Sequence, residues 1–234
     1  MFIDSMSGAQ LMKEYNADLP EIQKVTLRFD ESDYVTRYLR KHQKQEKVVI
    51  TKIFKTSRGN RYIGIIVYTQ VGSGKNRQWH WSSFHIGLMN TFKGIASIAF
   101  YTDTQQALVF TPHFFKRYRE RLYKVCDWKV RNQFDIAKSI EDIISIYISR
   151  NVSIAWIETE AEFSNKVHIF APTGDGVALL QWDKNKKVLQ ANTFVTMDML
   201  NEKQIEMVKA AIAYLYLSEE ERKQLKYPDF IQGD

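Results

Sequence analysis

In the stretch TPHFFKRYRERLYK, residues 111–124, one histidine is followed at four-residue intervals by two arginines. A step of four residues along an α-helix turns only about 40°, so His113, Arg117 and Arg121 would form one stripe. Arg119 falls off that stripe, while Phe114, Tyr118 and Leu122 supply an apolar face beside it. Imidazole exchanges a proton near neutral pH, and guanidinium stays charged with a fork that matches two phosphate oxygens. Cations beside a histidine lower its pKa and favour the neutral base. The start of a helix is itself a favourable place for a phosphate. Such a set suits cleavage of RNA without metal or cofactor. A base takes the ribose 2′-hydroxyl proton, and arginines stabilise the pentavalent transition state. The plainer reading is a histidine that packs at a helix start and arginines on a solvated face.

The charge pattern bears on the choice. Residues 1–150 carry 24 Lys or Arg against 14 Asp or Glu, whereas residues 151–234 carry 9 against 13. Two basic clusters stand out, residues 37–61 and residues 116–131. Such clusters attract polyanions, because each neutralised phosphate releases a condensed counterion. Nucleic acid, RNA above all, is therefore the expected partner. The 234-residue chain is long enough to bury a core, and its 44% hydrophobic and 26% charged residues are ordinary for a globular protein. No apolar run approaches the ~20 residues that span a bilayer, and the first residues lack the order of a secretory signal. No membrane association and a cytoplasmic location are the expectation. With Cys126 the single cysteine, neither an intrachain disulfide nor a cysteine zinc site can form.

The elements that must position the stripe read as follows. Helices are predicted over residues 9–15 and 32–43, the second capped by Asp30 or Ser32. KVVITKIF and RYIGIIVYTQ flank Ser57-Arg58-Gly59-Asn60 and read as a hairpin. RQWHWSSFHIG, IASIAFYT and ALVF continue as strands. Thr111 and Pro112 mark the start of a helix over 112–124, and a second helix is predicted over 132–149. VSIAWIET, KVHIFAP, GVALLQWD and KVLQANTFVT read as strands, with a turn at 173–176. A helix over 204–217 follows, capped by Asn201, and Ser218 with Glu221 resembles a capping box for one more. Segregated helices and antiparallel sheets make the class α+β. The expected organisation is a β-rich region over 1–105 and a helix-helix-sheet domain over 106–234, or one continuous domain.

Several motifs fall short. Gly72-Ser73-Gly74-Lys75-Asn76 has Thr69 where a phosphate loop needs its first glycine, and Asn76 where it needs Ser or Thr. His80 and His85 lie an odd number of residues apart and so face opposite ways on a strand. Glu158, Glu160 and Glu162 would line one strand face, which a polar sheet edge explains more simply than a metal. Trp79 and Trp81 share a strand face beside Arg77 and, with Tyr118, are candidates for stacking on bases.

The run F-T-P-H-F-F-K-R-Y-R-E-R-L after a short strand resembles the opening of the superfamily that groups barnase, EndoU, colicin-type and RelE-type ribonucleases. The similarity spans roughly residues 106–200 and is closest to the toxin and phage-associated domains of that group. It implies a His-x-x-x-Arg helix, a second helix and an antiparallel sheet. It also implies that late-strand hydroxyl or polar residues complete the site, which by position are Thr193 and Thr196, with Lys166 or His168 upstream. The expected catalytic set is then His113, Arg117, Arg121, Thr193 and Thr196. Lys116, Arg119, Lys124, Lys166 and His168 are the expected contacts to nucleic acid. The function implied is a metal-independent ribonuclease, a toxin or mobile-element effector, with an inhibitor or antitoxin protein as a possible partner. The alternative is a nucleic-acid-binding protein without catalysis that uses the clusters at 37–61 and 116–131.

Overall fold

A computed structural model describes residues 1–72, 77–122, 157–159, 166–173, 176–183 and 186–215. Helix α1, Gly8–Asp30, begins at Ser7 with a capping box: Gln10 N–H reaches Ser7 Oγ, and the Gln10 side chain reaches Ser7 N–H. It is longer than the stretch of residues 9–15 that the sequence marks and runs through Pro20. Its buried stripe of Leu11, Tyr15, Asp18, Ile22 and Thr26 continues on both sides of the proline, so packing outweighs the lost backbone hydrogen bond. Two of those positions are polar, which hides the periodicity from hydropathy alone. Helix α2, Asp33–Lys41, is capped by Ser32, as expected.

The strands are β1 Lys47–Lys55, β2 Arg61–Val71, β3 Gln78–Thr91, β4 Gly94–Tyr101 and β5 Gln106–Phe110. They form an antiparallel meander whose first turn, Ser57–Asn60, holds Gly59 at φ +86°, where a glycine is favoured. Helix α3, Pro112–Leu122, follows directly. The later strands are β6 Ile157–Thr159, β7 Lys166–Thr173, β8 Gly176–Asp183 and β9 Val188–Thr196. Among the described residues all nine belong to one sheet, in the order β1-β2-β3-β4-β5-β9-β8-β7-β6. Every pairing is antiparallel except that of β5 with β9, which sets Leu108 beside Leu189 and Phe110 beside Ala191. The sheet therefore runs across residue 105, and the chain is α+β. Helix α4, Glu202–Leu215, is capped by Asn201, which exchanges hydrogen bonds with Gln204. The helix expected over 132–149 and the capping box at Ser218 lie outside the described residues. Among those described, no helix is long and apolar enough to cross a membrane.

Both faces of the sheet are covered, which is why Tyr62 to Ile66 are buried without a break. On one face α1 places Leu11, Met12, Tyr15 and Ile22 against Tyr62, Met89, Ile98 and Val109. Beside it α2 adds Val35 against Val48, Ile50, Ile66 and Tyr68. On the other face α3 packs Phe114, Phe115 and Tyr118 against Phe110, Leu180, Ala191 and Phe194. Gly8 ties the start of α1 to the β8–β9 turn: its N–H donates to the Lys186 carbonyl at 2.8 Å, and a Cβ there would run into the Lys187 carbonyl.

At the other side of the sheet α1 grips the β1–β2 turn. Asp18, 1% exposed, accepts from Asn60 Nδ2 at 2.6 Å and from the Tyr62 hydroxyl at 2.8 Å. One turn away, Glu14 accepts from Arg58 at 2.6 Å and from Asn60 at 3.0 Å. Glu21 accepts from the N–H and hydroxyl of Ser57. The hydrogen bonds from Asn60 and Arg58 hold the Glu14 carboxyl below its usual range, and burial together with the Asp18 carboxylate raises the Tyr62 hydroxyl.

Candidate active site

The stripe read from the sequence is oriented by the aromatic face beside it. Phe114, Phe115 and Tyr118 are buried, and the Phe194 ring meets Tyr118 at 4.9 Å and Phe114 at 6.3 Å, both edge-on. Thr111 fixes the start of the helix twice. Its hydroxyl accepts the Phe114 N–H at 3.2 Å and donates to the Ala191 carbonyl at 3.1 Å, so the N-cap is also a clasp onto β9. With the helix pinned, His113 is exposed, and Arg117 and Arg121 lie half-buried along the seam between α3 and β9.

The three stripe residues meet different partners. Arg117 Nε–H donates to His113 Nε2 at 3.4 Å, and its Nη1 donates to Glu120 at 2.8 Å. Lys116 stands 3.9 Å from the same carboxylate. Arg121 reaches across the seam to the Phe194 carbonyl and lies 3.5 Å from the Thr193 hydroxyl. The His113 pKa is lowered by partial burial first, and then by the charges of Arg117 and Lys116, with Glu120 opposing. Both effects favour the neutral imidazole, and in that form Nε2 accepts from Arg117. Burial, followed by Arg117, also lowers the Arg121 pKa.

Of the expected catalytic set, His113 and Arg117 are joined by a hydrogen bond on α3, while Arg121 and Thr193 meet across the seam as a separate pair. Thr196 is half-buried three residues beyond Thr193, at the end of β9, where it precedes the 3-10 turn Met197–Met199. Lys116 is exposed and Arg119 half-buried on α3. Lys166 and His168 pair with Asp183 and Gln181 in β7 and β8, so their strand lies two places from β9. Lys124 lies outside the described residues. Tyr118 is 3% exposed and packs in the core, so it offers no ring to a base. Trp79 packs against the α2 cluster, whereas Trp81 is 39% exposed. His80 and His85 do part company: His80 is exposed, and His85 turns toward α1 to meet the Thr26 hydroxyl at 2.9 Å. Burial lowers the His85 pKa to about 4.

The residue the sequence reading passed over is Glu120. It holds the guanidinium of Arg117 while His113 takes the other edge. Its spacing of three from Arg117 and four from Lys116 is the available signal. The Phe194 carbonyl had none, since backbone groups carry no sequence mark. Among the described residues no group of three or more His, Cys, Asp or Glu side chains is placed to hold a metal ion. No protein family, curated protein or solved structure matches this chain.

Proposed function

We propose that the α3–β9 seam is the active site of a metal-independent ribonuclease, with His113 as its acid/base. The observation that supports this reading is the exposed imidazole whose Nε2 lies 3.4 Å from a guanidinium, with its pKa lowered by partial burial and by that charge. In the resting arrangement Arg117 occupies the His113 lone pair and Glu120 holds Arg117 in place. A phosphate drawing the guanidinium toward itself would free Nε2 at the moment RNA arrives. The imidazole then takes the 2′-hydroxyl proton, the 2′-oxygen bonds to phosphorus, and the 5′-oxygen leaves with a proton drawn from water. Arg117 and Lys116 stabilise the charge that develops on the phosphate. Arg121 has a different part: its guanidinium is committed to β9, so it sets the angle of the helix and positions the other two residues. Thr193 lies within its reach and belongs to the same support.

A toxin or mobile-element effector with an inhibitor protein is the biological setting this chemistry suits. A second reading, RNA binding without catalysis, is favoured by the engagement of both arginines inside the protein. End analysis of a labelled RNA incubated with the protein in EDTA decides between them. Fragments ending in 2′,3′-cyclic phosphate and 5′-hydroxyl are expected. Intact RNA that is nonetheless bound supports the second reading, and fragments with 3′-hydroxyl ends overturn the proposed chemistry.

A further inference from the structure

Away from the seam, a row of rings runs along α2. Phe29 lies 6.0 Å from Tyr34, Tyr34 lies 6.0 Å from Tyr38, and Tyr38 stacks on His42 at 4.2 Å. The four-residue spacing of Tyr34, Tyr38 and His42 puts these three on one helix stripe. The row is held in place: His42 Nδ1 lies 2.8 Å from the Tyr38 carbonyl, and Lys52 Nζ sits 4.7 Å over the Phe29 ring. It is not covered. Tyr34 is 56% exposed, an unusual position for a large ring with no role in the core.

Exposed cations lie on the same helix and nearby. Arg37, Arg40, Lys41, Lys44 and Lys52 are all exposed. Arg37 has only the fully solvated Asp33 near it, at 3.8 Å, with Glu31 the other acid at that end. Within residues 37–61, Glu46 is the sole acidic residue against nine basic ones. Rings in series flanked by cations match the two features of a single nucleic-acid strand, bases with flat faces and a phosphate at each step. A duplex offers the phosphates but keeps its bases stacked inside. An acidic protein offers charge without flat faces.

We infer that α2 is a docking surface for single-stranded RNA, in which Tyr34 stacks on a base and Arg37, Arg40 and Lys41 follow the backbone. The inference stands on the geometry of α2 and does not require the seam to be catalytic. The test is fluorescence anisotropy with a labelled, uncleavable 2′-O-methyl oligouridine of twelve residues. Competitors are an RNA duplex of the same length and inorganic polyphosphate. Tyr34→Ala is expected to weaken binding about tenfold, and Tyr34→Phe to leave it unchanged. Replacing Arg37, Arg40 and Lys41 together with alanine is expected to reduce the slope of log affinity against log salt by about two. Binding by Tyr34→Ala equal to wild type, competition by duplex or polyphosphate as strong as by single strand, or no binding by wild type would each overturn the inference. Cleavage of unmodified RNA in EDTA is scored separately, so a failed nuclease reading leaves α2 untouched and a failed α2 reading leaves cleavage untouched.

Discussion

Arg58 and Arg117 each pair with carboxylates, and their partners end up in opposite circumstances. Arg58 closes a network at the β1–β2 turn with Glu14 and Asp18, where Asp18 and Asn60 are 1% and 0% exposed. Arg117 joins Glu120 to His113 on a helix face open to solvent. The two guanidiniums are similarly exposed, at 46% and 40%, but the first is tied to Glu14 and Asp18, whose hydrogen bonds with Asn60 and Tyr62 hold the β1–β2 turn. The second has an exposed imidazole at its end. A similar set of side chains thus makes a fastener in one place and a candidate reaction centre in the other. Burial of the partners decides which: Asp18 is fully enclosed, and Glu120 is not.

The largest effect should come from breaking the fastener. Asp18→Ala leaves the Asn60 amide and the Tyr62 hydroxyl without their acceptor, and is expected to cost about 3 kcal/mol in urea unfolding. Its activity per folded molecule should match wild type. Arg121→Ala removes the tie to the Phe194 carbonyl from a half-buried position, with an expected loss of about 1–2 kcal/mol. If the positioning role is right, the loss should be accompanied by a lower cleavage rate at unchanged affinity for RNA.

Acid separates the regions in another way. His85 is neutral in the folded protein, with a pKa lowered to about 4 from an ordinary 6.5. Between those values the unfolded chain binds the extra proton, so stability is complete above pH 6.5 and falls as pH drops toward 4. Unfolding midpoints across that range should fall more steeply for wild type than for His85→Gln. The smallest effect is expected for Arg37→Ala, whose ion pair with Asp33 is solvated on both sides. Its urea midpoint should coincide with that of wild type.

What the sequence made legible was local. Ser32, Thr111 and Asn201 announce helix starts by type and position, and alternating apolar residues around Ser57–Asn60 announce the first hairpin. The stripe of His113, Arg117 and Arg121 follows from spacing alone. What could not be read depends on partners distant in the chain. The parallel join of β5 to β9 brings together residues some eighty positions apart, and that join decides where α3 lies. The grip of Arg121 on a β9 carbonyl depends on the same join. Asp18 looks like a solvated residue in an acidic helix until Asn60 and Tyr62 are folded against it. Pro20 reads as a stop, and only the packing on both sides of it shows that the helix continues.

The measurement that bears most directly on the seam is the rate of RNA cleavage in EDTA by wild type and His113→Ala, with the melting temperature of each recorded alongside. The account predicts a loss of about a hundredfold to ten-thousandfold with the melting temperature nearly unchanged, since His113 is exposed and supports no core contact. Equal rates for the two proteins, or a loss matched by unfolding, would contradict it.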